Sequence, residues 1–292
     1  MKEIVVISGK GGTGKTVLVA SFAALTKNKV IADCDVDAAD LYLLLHPTVK
    51  KQVEFRSGQT AIIDQDKCIQ CGKCLVLCRF EAVKTKKNEK GGLKEMEIDP
   101  ISCEGCGVCY HVCPVDAIKM EENISGELFI SETRYGPFIH AKLGIAEENS
   151  GKLVTKVRQT AKDIAVREGK DYIISDGPPG IGCPVIASLS GADCALIITE
   201  PTLSGLHDAR RVADVAKHFN VTVKIVVNKY DLNPVVTNQI EEFCRERGVP
   251  VIGKIIFDKK VVEAMVEGKN IVEYSDGPVK DEIIKIWNIL NV

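Results

Sequence analysis

Short apolar runs and longer mixed segments alternate at the beginning of the chain. Ile4 to Ile7 form the first apolar run, and a stretch with a helix-compatible pattern follows from Thr16 to Thr26. A second apolar run, Val30 to Ala32, ends in acidic residues. The order strand, helix, strand predicts one βαβ unit at this end of the protein.

The same alternation returns in the second half. A helix-compatible segment near Leu153 to Arg167 precedes three apolar runs, at 172–175, 195–199 and 223–227. Nearly continuous apolar runs that end in polar turn residues are typical of parallel strands covered on both faces. The predicted fold class is therefore α/β, with a doubly wound, mostly parallel sheet. The last helix-compatible segment, Ile283 to Leu290, lacks a basic face and is predicted to pack on the core.

The middle of the chain follows a different pattern. From about Arg56 to Glu132, short strand-like pieces at 61–63 and 96–98 alternate with cysteine-rich turns. This change predicts a small α+β domain that is inserted into the larger one. The predicted bounds are 59–134 for the insert, and 1–58 with 135–292 for the discontinuous α/β domain.

Composition and net charge limit the classes of partner that this protein is expected to bind. The chain has 292 residues, of which 45% are hydrophobic, and it carries 38 Lys and Arg against 40 Asp and Glu. A net charge of -2 gives no whole-chain reason to expect a nucleic acid or an anionic membrane as partner. No leader pattern and no stretch of roughly 18 apolar residues is present, so we expect a cytoplasmic protein.

A glycine-rich turn follows the first predicted strand and opens the first predicted helix. It reads Gly9-Lys10-Gly11-Gly12-Thr13-Gly14-Lys15-Thr16. Glycines let backbone N–H groups turn toward phosphate oxygens, and the helix N-terminus adds a partial positive charge. The lysine reaches the terminal phosphates, and the threonine offers a hydroxyl to Mg²⁺. The residues predicted to bind the nucleotide here are Gly11, Gly12, Thr13, Gly14, Lys15, Thr16 and Val17.

The additional lysine, Lys10, makes this loop resemble the deviant Walker A motif of the MinD/ParA/Mrp and nitrogenase iron protein superfamily. The resemblance implies binding and hydrolysis of ATP with Mg²⁺. It also implies a homodimer that forms through the nucleotide face, in which Lys10 contacts the nucleotide of the facing subunit as an arginine finger would.

Acidic residues at the ends of two strands resemble the switches of this superfamily. Asp35, with Asp37 as the second choice, resembles the residue of the first switch that orients the attacking water. Asp176 ends the strand that resembles Walker B, and the resemblance implies that it holds Mg²⁺ through water, together with Thr16. The predicted catalytic residues are thus Lys10, Lys15, Asp35 and Asp176.

A later strand ends in Asn228-Lys229-Tyr230-Asp231, which resembles the base-recognition segment of the family. Asn228 is the predicted adenine contact. Asn-Lys-x-Asp also matches the guanine-reading sequence of Ras-like GTPases, so Asp231 leaves GTP as an alternative nucleotide. The loop and the switches favour ATP.

Eight of the twelve cysteines lie between Cys68 and Cys113, and in a leaderless chain such crowding indicates metal or cluster ligation. They form two runs of identical spacing, which resemble the duplicated signature of bacterial two-cluster ferredoxins. The resemblance implies two 4Fe-4S clusters, with the fourth cysteine of each run bound to the other cluster. The predicted ligand sets are Cys68, Cys71, Cys74 and Cys113 for cluster 1, and Cys103, Cys106, Cys109 and Cys78 for cluster 2. Zinc is the alternative. Arg79 follows the first run where proline is usual.

Four further cysteines lie outside these runs. Cys34, Cys194 and Cys244 are expected to be small buried residues. Cys183 follows the second switch, near the dimer interface that the resemblance implies, and it is a candidate ligand for a metal or a transferable cluster. Burial is the simpler interpretation for Cys183 as well.

Over its whole length the chain resembles the MinD-superfamily ATPases that contain an inserted ferredoxin domain. The first functional hypothesis is that ATP binding and hydrolysis gate electron transfer from two clusters to a partner or redox centre. The alternative is an Mrp-like carrier or assembly ATPase that passes an iron-sulfur or metal cluster to a client protein. A second alternative is a ParA-like positioning ATPase whose clusters are structural or sensory. The partner is therefore predicted to be a redox or metal-cluster protein.

Overall fold

The computed structural model describes residues 1–87, 94–144 and 150–291. These residues form two compact units. The first comprises residues 1–53, 127–143 and 150–291. The second comprises the described part of 54–126 together with Gly144. No helix in the described ranges is long and apolar enough to cross a membrane.

The described residues include eleven strands and eleven α-helices. The strands are β1 Lys2–Ser8, β2 Lys29–Asp33, β3 Thr48–Ile63, β4 Val83–Lys87, β5 Lys94–Ile98, β6 Ile118–Thr133, β7 Gly136–Leu143, β8 Tyr172–Pro179, β9 Cys194–Thr199, β10 Thr222–Asn228 and β11 Val251–Ile255. The helices are α1 Lys15–Leu25, α2 Tyr42–Leu45, α3 Lys73–Leu77, α4 Val108–Val112, α5 Ser150–Arg167, α6 Cys183–Leu189, α7 Leu203–His218, α8 Pro234–Glu246, α9 Lys259–Val266, α10 Ile271–Tyr274 and α11 Pro278–Leu290. A short 3-10 helix spans Tyr230–Leu232.

The sheet of the first unit runs in the order β11-β10-β9-β1-β8-β2-β7. The pairs from β11 through to β7 are parallel, as βαβ connections require. Alternate residues of β1 belong to different cores: Ile4 and Val6 lie in one hydrophobic cluster, and Val5 and Ile7 in the other. Both faces of the sheet are covered, and the predicted α/β, mostly parallel fold is confirmed.

The last helix packs on one of these cores, as predicted. Ile283, Ile286 and Trp287 are buried in the cluster that also contains Phe22 of α1. The rings of Trp287 and Phe22 lie 5.2 Å apart between centroids. The apolar face of α11 therefore contributes to the core of the first unit.

The second unit contains an internal duplication. β4 and β5 pair antiparallel, and α3 and α4 are helices of five residues each. Each helix begins after a glycine in the left-handed conformation, Gly72 with φ 74° and Gly107 with φ 75°. A side chain would be strained at either position, so the two turns have the same backbone requirement.

The compact units divide the chain differently from the predicted bounds of 59 and 134. The second unit includes residues 54–58, and residues 127–134 belong to the first unit. The physical reason is that β3 and β6 are strands of 16 residues that begin in one unit and end in the other. Hydrophobic patterning locates turns, whereas this boundary falls within continuous strands.

Candidate functional site

The glycine-rich loop lies between β1 and α1, where the sequence predicted it. Gly14 caps α1 in the left-handed conformation, with φ 93°. A Cβ atom at Gly14 would lie 2.5 Å from Nδ2 of Asn228. Glycine is therefore required at this position both by the backbone and by the close approach of a neighbouring strand end.

Lys15 and Thr16 begin α1 and face the acidic ends of neighbouring strands. Lys15 is 6% exposed, and its Nζ lies 4.0 Å from Oδ2 of Asp35. The Thr16 hydroxyl donates a hydrogen bond of 2.7 Å to Oδ2 of Asp176. The fold thus brings together four predicted site residues from three segments of the chain, because β1, β2 and β8 end at the same edge of a parallel sheet.

Asp176 is the buried acid that accepts the Thr16 hydrogen bond. Its side chain is buried, and Oδ1 has no hydrogen-bond partner among the described residues. Burial raises the pKa of Asp176 to about 7, although Lys15 and the Thr16 hydroxyl act in the opposite direction. A free carboxylate oxygen beside a threonine hydroxyl is the oxygen donor set that Mg²⁺ prefers, so these two residues fit the predicted ion. Mg²⁺ bound there would supply positive charge at the phosphate oxygens.

Asp35 lies at the same edge. Burial raises its pKa to about 6, Lys15 lowers it, and Asp37 and Asp40 raise it. At neutral pH the carboxylate is largely ionised, which suits an acceptor that orients a water molecule. Asp37, the second choice, is exposed.

Asp33 was not predicted to belong to the site. Its buried carboxylate accepts backbone N–H groups of Asp35 at 3.1 Å and of Leu41 at 3.3 Å. In the β2 and β8 register it is paired with Asp176. Burial and the Asp176 charge raise the pKa of Asp33 well above its usual range. Asp33 therefore orders the segment that carries Asp35. Its position at the end of a buried strand was the only sequence signal.

Lys10 contacts residues that follow β9. Its Nζ lies 3.4 Å from Oε2 of Glu200 and 3.3 Å from Oγ1 of Thr202. Lys229 donates to the other oxygen of the Glu200 carboxylate. Glu200 thus joins the signature lysine to the segment after Asn228, and no sequence motif predicted either Glu200 or Thr202.

Asn228 ends β10 and holds the phosphate loop. Its Nδ2 donates to the Thr13 carbonyl at 2.8 Å, and its Oδ1 accepts the Lys229 backbone N–H at 3.0 Å. The Asp231 carboxylate accepts the backbone N–H of Phe257 at 2.7 Å. Asn228 is thus next to the predicted nucleotide site, whereas one oxygen of Asp231 is already engaged by the backbone.

Two cavities in the second unit are lined by cysteines. One is lined by Cys68, Cys71, Cys74 and Cys113, together with apolar residues that include Ile63, Met96 and Ile118. The other is lined by Cys78, Cys103, Cys106 and Cys109, together with Ala61, Phe80 and Val83. Each cavity takes three cysteines from one run and the fourth from the other run. These are the two ligand sets that the ferredoxin resemblance implies.

The fourth cysteine of each run receives backbone hydrogen bonds. The Ala117 N–H donates to Sγ of Cys113 at 3.2 Å. Partial burial acts to raise the pKa of Cys78. Hydrogen bonds from the backbone of residues 80–83 outweigh this effect, so the pKa lies below its ordinary value. Backbone donors that stabilise a thiolate favour its use as an iron ligand.

The same thiols do not converge on a point. Within residues 1–87, 94–144 and 150–291, no three His, Cys, Asp or Glu side chains are grouped closely enough for one metal ion. A zinc ion needs its ligand atoms within about 2.3 Å of one centre. Sulfur atoms that surround a four-iron cluster are more widely separated, because each binds a different iron. The two clusters and the zinc alternative both stay predictions.

Cys183 is the exposed cysteine of the first unit, at the start of α6. Cys34, Cys194 and Cys244 are buried, as predicted for small apolar residues. Burial also raises the pKa of Cys244 to about 11. The simpler interpretation of Cys183 as a buried residue is wrong, because α6 begins at the surface there.

Comparison with known proteins decides the family. A family model described as the CobQ/CobB/MinD/ParA nucleotide binding domain matches residues 4–271. The chain belongs to this family. MinD from Pyrococcus horikoshii, solved with Mg-ADP, has the same fold, with a TM-score of 0.58 and 18% identity over 99% of this chain and 96% of that one. The predicted P-loop ATPase is confirmed, and the residues around Thr16 and Asp176 fit Mg²⁺ with a nucleotide.

Two relatives are closer in sequence. MJ0578 of Methanocaldococcus jannaschii is 39% identical over 234 residues, which cover 79% of each chain. An iron-sulfur cluster carrier protein of Pyrococcus furiosus is 30% identical over 149 residues, which cover 47% of this chain and 50% of the carrier. Of the two, the carrier is the one whose name states a role, and this role corresponds to the Mrp-like alternative rather than to gated electron transfer. The ferredoxin-like nature of the insert stays a prediction.

The buried Asp176 predicts a pH-dependent stability. The pKa is 3.8 in an unfolded chain and about 7 in the folded protein, so the folded state loses stability as pH rises from about 4 to 7. Asp176→Asn should therefore have a free energy of unfolding in urea about 4 kcal/mol higher than that of the unmodified protein at pH 8, and a nearly equal one at pH 4.

The control for this comparison is Asp163→Asn, which changes an exposed carboxylate on α5. Mg-ATP should stabilise the unmodified protein and the control, but not Asp176→Asn. A variant that is less stable than the unmodified protein at pH 8 would contradict the assignment of Asp176 as an acid whose desolvation outweighs the effect of Lys15 and Thr16.

Proposed function

We propose that this chain is an ATP-hydrolysing iron-sulfur protein of the cluster-carrier class, with two resident 4Fe-4S clusters in its second unit. The observation that carries the proposal is that each of two cavities is lined by four cysteines drawn from both runs. Eight thiols in two such sets have no role in hydrolysis alone. A family ATPase that contains them therefore uses nucleotide for work on iron-sulfur clusters.

The nucleotide half of this function depends on a few named groups. Backbone N–H groups of the glycine-rich loop would hold the phosphates, and Lys15 would neutralise charge on the terminal ones. Thr16 and Asp176 would hold Mg²⁺, and Asp35 would accept a hydrogen bond from the attacking water. We propose adenine as the base, because Asn228 adjoins the loop while Asp231 is engaged by Phe257.

We also propose a homodimer through the nucleotide face. In the single chain, Lys10 is held by Glu200 and Thr202 within its own subunit. To reach a nucleotide bound to the facing subunit, Lys10 would have to exchange the Glu200 carboxylate for a phosphate. Both partners are negatively charged, so the exchange costs little in electrostatic free energy. Lys229 would keep Glu200 paired after Lys10 has left.

The carrier class is supported by the relatives and by one exposed thiol. Proteins of Pyrococcus furiosus and Pyrococcus horikoshii with 30% and 31% identity are iron-sulfur cluster carriers. Cys183 begins α6 just after the loop that follows Asp176, and it is exposed. Two such thiols, one from each subunit of the proposed dimer, would form a cargo site whose occupancy depends on the nucleotide. Ligation by only two protein thiolates leaves a cargo cluster exchangeable.

The second candidate is nucleotide-gated electron transfer. It is favoured by the cysteine cavities themselves, since a cluster held by four thiolates is retained and exchanges electrons. The two candidates make different demands on Cys183. Delivery of cargo requires it, whereas electron transfer from the resident clusters does not.

The crossed ligand sets can be tested with pairs of cysteine variants. Cys71→Ser and Cys113→Ser should damage the same cluster, so the double variant should keep about as much iron as either single variant. Cys71→Ser with Cys78→Ser should damage both clusters and lose nearly all iron. Iron content and EPR spectra of the anaerobically reconstituted proteins are the measurements. The reverse result, in which Cys71→Ser with Cys78→Ser equals a single variant, would mean that each run binds its own metal.

The cargo site predicts a nucleotide-dependent dimer with additional iron. With a non-hydrolysable ATP analogue, the reconstituted protein should sediment as a dimer, and it should pass radiolabelled iron to an apo-ferredoxin after the analogue is replaced by ADP. Cys183→Ser should abolish this transfer and keep the resident clusters. Cys244→Ser, which changes a buried thiol, is the matched control. Transfer that persists in Cys183→Ser, or a protein that stays monomeric, would contradict the carrier proposal.

A further inference from the structure

The duplicated second unit provides an internal comparison of its two surfaces. α3 follows Cys71 and α4 follows Cys106, and each helix leads to the fourth cysteine of its run. Both helices begin after a left-handed glycine and have the same length. Since the backbone that presents the thiols is the same, side-chain differences between the two surfaces are not required for holding a cluster.

Both surfaces expose large apolar side chains, since residues 99–116 expose Ile101, Val108, Tyr110 and Val115. The two helices differ in which positions are apolar. Ile69 is 61% exposed, Val76 is 82% exposed and Leu77 is 50% exposed. The corresponding positions of the second run are Glu104, His111 and the half-buried Val112. Exposed aliphatic side chains grouped on a short surface helix are typical of a protein contact.

The first surface also carries the cations. Lys67, Lys73 and Arg79 lie along the first run, and their counterparts in the second run are uncharged, namely Ser102, Val108 and Pro114. Lys67 Nζ lies 3.9 Å from Oδ2 of Asp64, and the Arg79 guanidinium lies over the Phe80 ring at 4.6 Å. Asp66 and Glu81 flank the run and are exposed.

The charge difference persists when the flanking acids are counted. Residues 64–81 contain three Lys or Arg and three Asp or Glu, whereas residues 99–116 contain three Asp or Glu and neither Lys nor Arg. Between Lys67 and Arg79 the first run has only positive charges. Apolar residues surrounded by cations are complementary to a protein with an acidic rim around an apolar contact.

We propose that this α3 surface, formed by Lys67, Ile69, Lys73, Val76, Leu77 and Arg79, is the docking surface for an acidic electron-transfer protein. The bound protein would exchange one electron at a time with the group in the cavity lined by Cys68, Cys71, Cys74 and Cys113, and no bond forms or breaks. Cys71 is exposed within this run, so the partner would approach the cavity closely. The inference rests on the proposed function only in requiring a redox-active cluster in that cavity.

The first test is a cross-linking experiment on the unmodified protein. A flavodoxin, which is a small acidic protein that carries FMN, is mixed with the reconstituted protein at low salt, and a carbodiimide joins lysine amines to neighbouring carboxylates. We expect cross-links from Lys67 and Lys73, detected by mass spectrometry, and their loss at high salt. Cross-links spread equally over the exposed Lys84, Lys86 and Lys119 would overturn the proposal.

The second test is kinetic. Electron transfer from the dithionite-reduced protein to flavodoxin is followed by stopped flow, in the unmodified protein and in the triple variant Lys67→Gln, Lys73→Gln, Arg79→Gln. We expect a rate constant about tenfold lower in the variant at low salt. The control variant, Lys50→Gln, Lys51→Gln, Lys156→Gln, changes the net charge equally at exposed positions of the first unit and should keep the rate.

An uncharged quinone as acceptor separates this inference from the proposed function. Quinone reduction should be equal in the unmodified protein and in both triple variants, because it needs no docking surface. Equal rates with flavodoxin as well would overturn the docking surface and leave the clusters in place. A protein that holds no iron and reduces neither acceptor would refute the proposed function, and the cross-links would still decide the docking surface.

Discussion

The hydrogen bond from Thr16 to Asp176 is the contact on which the nucleotide site depends. It joins the first turn of α1 to β8, at 2.7 Å, between a half-buried threonine and a buried aspartate. Desolvation makes the Asp176 charge costly until positive charge arrives, because its second oxygen has no hydrogen-bond partner in the described part of the chain. Mg²⁺ with a nucleotide is the natural source of that charge. We therefore expect the charge balance around Asp176 to change when Mg²⁺ and a nucleotide bind.

The other acidic residues extend this dependence away from the phosphates. Asp33 orders the segment with Asp35 through two backbone N–H groups, and it is register-paired with Asp176. A change of charge at Asp176 would therefore change the electrostatic potential at Asp33 and at the segment that contains Asp35. On the opposite side of the loop, Glu200 divides its carboxylate between Lys10 and Lys229. The glycine-rich loop and the segment after Asn228 are thus linked through ion pairs to Glu200.

Much of this organisation could be predicted from the sequence, since parallel strands impose an order. The loop at Gly9 to Thr16, the acids Asp35 and Asp176, and the strand before Asn228 appear in the expected succession, and the fold brings them together. The contacts of Glu200 with Lys10 and the pairing of Asp33 with Asp176 could not be predicted, because they depend on which strands are neighbours in the sheet. The exposure of Cys183 was also missed, since a short apolar helix does not reveal where it meets the surface. The limits of the second unit were shifted because β3 and β6 continue through them.

The central claim is that one protein couples its nucleotide state to its iron-sulfur clusters. The most direct test is an anaerobic redox titration followed by EPR, with no nucleotide, with ADP and with a non-hydrolysable ATP analogue, in the unmodified protein and in Lys15→Ala. The account predicts that the analogue changes the cluster potentials or the lability of cluster iron, and that Lys15→Ala abolishes this change while keeping the clusters. Potentials and iron retention that are identical in all three nucleotide states would contradict the coupling.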